Sequence, residues 1–156
     1  MAYDPGGGKM NPETFSVGIS ISTLYWWLTG LSTGGIVTPF YFYMFLNNPL
    51  RILYTLGSGF ITYLLVLLMN RFLILYGKKR LAVNILTGIL VKLLIDYITI
   101  RNLPVDYIST TIGTIIPGLI ANDFYRQGVL KTIFSIGIVT AIIYFLILFL
   151  KVVLSF

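Results

Sequence analysis

The side chains able to do chemistry are few and unevenly placed. The 156 residues include no histidine and no cysteine, which removes thiol nucleophiles, disulfides and the commonest metal ligands. What remains is three acids in the apolar part of the chain (Asp96, Asp106 and Asp123), one interior lysine (Lys92), and amides and cations in clusters. No nucleophile–base spacing appears among them, so no catalytic residue and no metal site are assigned. The densest polar group is Asn122-Asp123-Phe124-Tyr125-Arg126-Gln127-Gly128, which follows directly on the apolar Pro117-Gly118-Leu119-Ile120-Ala121. Asn122 and Gln127 can bond a peptide-like chain and Arg126 can draw an anion. Asp123 would repel that anion unless Arg126 pairs with it.

These groups must be held at membrane depth. Only 10% of residues are charged and mean hydropathy is +0.91, against roughly 25% charged in soluble domains. So few charges cannot clothe a water-soluble surface, and the fold class is all-α, a polytopic membrane helix bundle. Residues 1–13 form a polar tail with Gly6-Gly7-Gly8, and Met10 offers a second start. Residues 14–156 form a single transmembrane domain. Four long spans are expected, over 15–31, 52–69, 81–100 and 132–150. The third starts just after Gly77-Lys78-Lys79-Arg80, which reads as a short basic loop.

Two short broken segments lie between the spans. Proline lacks an N–H and glycine lacks restraint, so Pro117-Gly118 interrupts a helix. In lipid such an interruption is tolerated only where protein or a wet cavity surrounds it. An echo lies at Pro39, where aligning the two prolines also aligns Gly35 with Gly113 and Val37 with Ile115. The chain then reads as two repeat halves, about 15–76 and 81–151, and matched breaks are where ligand sites form between repeats. If both short segments re-enter, the repeat is parallel; if both cross, it is inverted. Counting cations does not choose between these. Crossing is preferred because it brings residues 122–127 to the basic side.

Net charge is +6. It reads either as positive-inside bias or as attraction for a polyanion or acidic partner. Lys92 and Asp96 stand four apart on one helix face. They form either a self-neutralising pair or a polar face along a substrate path.

Several stretches together resemble one family. Pro117-Gly118-Leu119-Ile120-Ala121-Asn122 with Gln127-Gly128 is similar to the signature of PgsC/CapC, the small membrane subunit of bacterial poly-γ-glutamate synthase. So are the run from Arg71 to Arg80 and Ile85-Leu86-Thr87-Gly88-Ile89 leading to Lys92. The resemblance covers roughly residues 30–150. One departure is Pro39-Phe40-Tyr41, where the family typically has Pro-Gly-Tyr; losing that glycine predicts a straighter first break.

The resemblance implies a partnership in the bacterial cytoplasmic membrane. It implies a cytoplasmic ligase similar to the Mur amide ligases, using ATP and Mg²⁺ at that partner and no cofactor in this chain. It implies a further membrane-anchored subunit and a polyanionic poly-γ-glutamate product. On this reading Arg71, Lys78, Lys79 and Arg80 form a basic docking face. Pro39, Pro117, Gly118, Asn122, Asp123, Arg126, Gln127 and Gly128 line or shape the polymer path. A stand-alone small-anion transporter built on the repeats is the alternative. A membrane enzyme is disfavoured by the sparse acids and bases, and nothing points to nucleic acid.

Overall fold

The computed structural model describes residues 12–72, 74, 76–102 and 113–154. Among them the chain forms six helices and no strand: α1 (Pro12–Thr29), α2 (Thr38–Met44), α3 (Pro49–Met69), α4 (Gly77–Asn102), α5 (Ile116–Gln127) and α6 (Val129–Leu154). The all-helical expectation holds. Most of the tail (1–11), Asp106 and parts of the 71–80 motif (Leu73 and Leu75) lie outside the described residues.

Among the described residues three helices are long and apolar enough to cross a membrane: Pro49–Met69, Gly77–Thr99 and Val129–Val153. The expected span over 15–31 is not among these three. The helix at the predicted first span, α1, has 18 residues, but Glu13 and a series of hydroxyls dilute it. Those hydroxyls are not left bare. Ser16, Ser20, Ser22, Thr23 and Thr29 each donate to a carbonyl of the preceding turn, at 2.7–2.9 Å. Buried Thr55, Ser58 and Thr62 on α3 do the same, which makes hydroxyls tolerable away from water.

Cross-helix contacts fix the direction of each helix. On α3 and α5, Gly59 lies by Ile120, Tyr63 packs on Phe124 at 6.1 Å between ring centroids, and Asn70 bonds Tyr125; the two run the same way. On α4 the order is reversed, with Gly88 at Gly118, Asn84 at Asn122 and Arg80 at Tyr125. On α6, Ile136 lies by Gly34, Thr140 by Pro39 and Tyr144 by Tyr43, so α6 runs with α2. Tyr25 beside Ser135 and Phe15 beside Phe40 turn α1 the other way. Hence α1, α3 and α5 point towards one end of the bundle, and α2, α4 and α6 point away from it.

The two short helices begin inside the bundle. Both start with proline in the first turn, where the missing N–H costs nothing. Both follow a residue in right-handed helical geometry, Val37 (φ −90°, ψ −23°) and Ile115 (φ −95°, ψ −25°). The break therefore lies before Pro117, not at it, and α5 runs on uninterrupted to Gln127. Upstream, Gly34 and Gly35 take φ of 73° and 96°, a region L side chains avoid.

The core gathers around α5. Ile116, Ile120 and Phe124 pack with Phe42 of α2 and Ile136 of α6. A second cluster, Val139, Ile143 and Ile147, is covered by Ile21, Tyr25 and Tyr43.

Candidate functional site at the buried short helix

Helix α5 packs against α3, α4 and α6, and its residues from Ile116 to Gly118 and from Ile120 to Phe124 are buried. Small residues permit this. A Cβ on Gly118 would lie 2.6 Å from the Ile85 Cα, and one on Gly88 would lie 2.7 Å from the Gly118 nitrogen. The backbones of α4 and α5 thus touch where Gly88 faces Gly118, near the middle of α4. One turn further along α5, Asn84 donates to Asn122 at 3.5 Å, and Asn84 is 1% exposed.

Asp123 is 3% exposed. Its Oδ2 accepts the Ser32 hydroxyl and, at 2.9 Å, the Gly34 N–H. Gln127 holds the same loop by both ends of its amide. Its Oε1 accepts Ser32 N–H at 2.9 Å, while its Nε2 donates to the Ser32 carbonyl and to Thr132 at 3.0 Å. Two polar residues of α5 therefore bind the main chain of the first break, and Gly34 and Gly35 let that loop approach Ile120 and Leu119.

This settles the pairing of Asp123 that the sequence left open. Arg126 is exposed, and the sole ion pair among the described residues is Lys92–Asp96. Asp123 is hydrogen-bonded by donors of the loop and is not paired with Arg126. Gly128, at φ 95°, ends α5 and turns the chain into α6. Pro39 is buried, and its carbonyl accepts Thr140 at 3.4 Å.

The C-terminus of α5 meets the basic motif. The Arg80 guanidinium lies 4.3 Å from the Tyr125 ring centroid, a cation–π distance. Its Nε is buried without a hydrogen-bond partner among the described residues. Asn70 donates to the Tyr125 hydroxyl at 3.1 Å. Lys78, Lys79 and Arg80 lie in the first turn of α4 and not in a loop, because Gly77 (φ 54°) already ends the connection and lysine and arginine are good helix formers. Arg71, Lys78, Lys79, Arg126 and Lys131 are exposed. All gather at the end towards which α5 points, and among the described residues none has an acid within ion-pair distance.

Lys92 and Asp96 form a 3.0 Å pair, with side chains 11% and 17% exposed. They lie on the half of α4 away from the basic end.

Sequence reasoning missed Ser32, Asn84 and Tyr125. Asn84 carried a signal, as a lone amide in an apolar run. Ser32 and Tyr125 carried none. Chemically the site offers amides, one hydrogen-bonded carboxylate and a cationic rim with no ion-pair partner among the described residues. Among the described residues no group of three or more acids gathers to hold a metal.

A family model described as capsule biosynthesis CapC matches residues 17–133. The capsule biosynthesis protein CapC of Bacillus anthracis is 38% identical over 119 residues, covering 75% of this chain and 79% of that protein. The PGA biosynthesis protein CapC of Bacillus subtilis (strain 168) is 34% identical over 118 residues, covering 74% and 78%. No solved structure matches significantly. The matched segment includes α5, the first break and the basic end.

Proposed function

The chain belongs to the capsule biosynthesis CapC family, and on that premise we propose that it is the small membrane subunit of a poly-γ-glutamate synthase. In this reading the basic end faces the cytoplasm and docks an ATP- and Mg²⁺-dependent amide ligase similar to the Mur ligases. A further membrane-anchored subunit completes the complex in the bacterial cytoplasmic membrane. The chain itself positions the ligase and helps the product outward.

One observation carries this reading: exposed cations, with no acid within ion-pair distance among the described residues, gather at the C-terminal end of a buried, amide-bearing helix. A γ-linked polyglutamate keeps one free carboxylate per residue at neutral pH, and such a rim attracts it and an acidic partner face alike.

The two halves read as inverted copies. What supports this is that α1, α2 and α3 each run opposite to α4, α5 and α6, with a short helix starting mid-bundle in each half. Such halves also occur in transporters, which keeps the small-anion transporter as a second reading.

The test is to co-express the Lys78→Gln/Lys79→Gln/Arg126→Gln chain with its ligase. Surface charges worth roughly 0.5 kcal/mol each predict about tenfold weaker co-purification and a matching fall in acidic polymer. Unchanged association and polymer would remove the docking role. Anion flux by the purified chain alone in liposomes would favour the second reading.

A further inference from the structure

We propose that the outer face of the last turns of α3 is a binding groove for an anionic phospholipid of the surrounding leaflet. The groove has a volume of ≈ 610 Å³ and is lined by Leu64, Leu67, Leu68, Asn70 and Arg71. Leu64, Leu67 and Leu68 share one face of α3, and Arg71 lies in the turn that follows it. The three leucines are exposed, so no helix among the described residues covers them, and they lie within a candidate span.

The two ends of the groove differ in chemistry. Its floor is hydrocarbon. Its upper end carries the exposed Arg71 guanidinium, which has no acid within ion-pair distance among the described residues. The Asn70 amide is already engaged with Tyr125, so Arg71 is the group left to bind a headgroup phosphate. Beside it, Phe72, Ile74 and Tyr76 are 88%, 80% and 78% exposed, and Lys78 and Lys79 follow. Aromatic and apolar residues mixed with cations, at the end of a span, suit the headgroup layer.

A soluble partner could meet Arg71 but not the floor. Leu67 and Leu64 lie about 6 and 10 Å deeper along the helix, inside the hydrocarbon. Acyl chains reach there and a cytoplasmic protein does not. The groove continues the lipid-facing surface of α3, and the cation at its rim selects a headgroup with net negative charge. This takes Arg71 out of the ligase-docking face and leaves Lys78 and Lys79 in it.

The experiment titrates the purified full chain, in detergent, with phosphatidylglycerol and with phosphatidylcholine, and reads bound lipid by native mass spectrometry. Phosphatidylglycerol should bind about fivefold more tightly, the worth of one basic side chain near an anionic headgroup. Arg71→Gln should abolish that preference. Leu67→Trp, which fills the groove, should weaken both lipids. Soluble glycerol phosphate should not compete. Both side chains are exposed, so the variants should keep the thermal midpoint of the parent. Equal retention of the two lipids would overturn the proposal, as would a preference that survives Arg71→Gln, indifference to Leu67→Trp, or displacement by glycerol phosphate. Loss of ligase association in Arg71→Gln with lipid binding intact would make the face a protein-docking surface and likewise overturn it.

Discussion

At the scale of single residues, Asp123 is the most consequential. A buried carboxylate without a cation is costly unless hydrogen bonds replace the water it loses. Here the Ser32 hydroxyl and the Gly34 N–H do so. Asp123→Ala should strip both donors of their acceptor and cost about 1–3 kcal/mol each where they stay buried. Asp123→Asn keeps an acceptor oxygen and should cost less than half as much. Chemical or thermal unfolding in detergent, comparing the two variants, checks this; equal loss would mean that the bonds do not hold the loop. The sequence showed that Asp123 and Arg126 are neighbours on a helix surface and left open whether they pair; they do not. The boundary between buried and exposed faces runs between them, and the true partners stand some ninety positions away in sequence. Periodicity reads local neighbours; it does not read which distant loop arrives.

At the scale of elements, the contact between α4 and α5 rests on two glycines. Gly88→Ala would press a methyl into the Gly118 backbone at 2.7 Å, and backbone cannot swing aside as a side-chain tip can. The expected loss is about 1–3 kcal/mol, typical of overpacking. Gly57 and Gly137, on α3 and α6, meet nothing within 4 Å. Changing either to alanine should be neutral or stabilise by up to about 1 kcal/mol through helix propensity alone. Thermal midpoints of the three variants in one detergent separate the cases. The prolines at 39 and 117 were legible as punctuation, because the missing N–H confines proline to helix starts or breaks. Which of the two applied was not legible; the positive-φ glycines upstream decide it. The first expected span, at α1, stands apart from the other three for a similar reason. Apolar length alone suggested a fourth, while α1 carries hydroxyls that are satisfied by their own backbone and are therefore compatible with helix but lower in hydropathy.

At the scale of the whole molecule, the directions of the six helices make a topological prediction. Lys79 and Arg126 belong to the same end of the bundle, while Asn47, between α2 and α3, belongs to the opposite end. The chain has no cysteine of its own, so single cysteines at these exposed positions report without background. Lys79→Cys and Arg126→Cys should react with an impermeant maleimide from the same side of the membrane, and Asn47→Cys only from the other. Labelling of Arg126→Cys and Asn47→Cys from one side would refute the arrangement of α5. That arrangement also bears on how the protein is made. At 12 residues, with an acid, a cation and two amides, α5 is too short and too polar to partition into the bilayer as an independent segment during synthesis. As the nascent chain leaves the ribosome, α3 and α4 are already in place to receive it, but α6 is not. The burial of α5 is therefore complete only once the last helix has joined, because α6 supplies Ile136 and Thr132 against it.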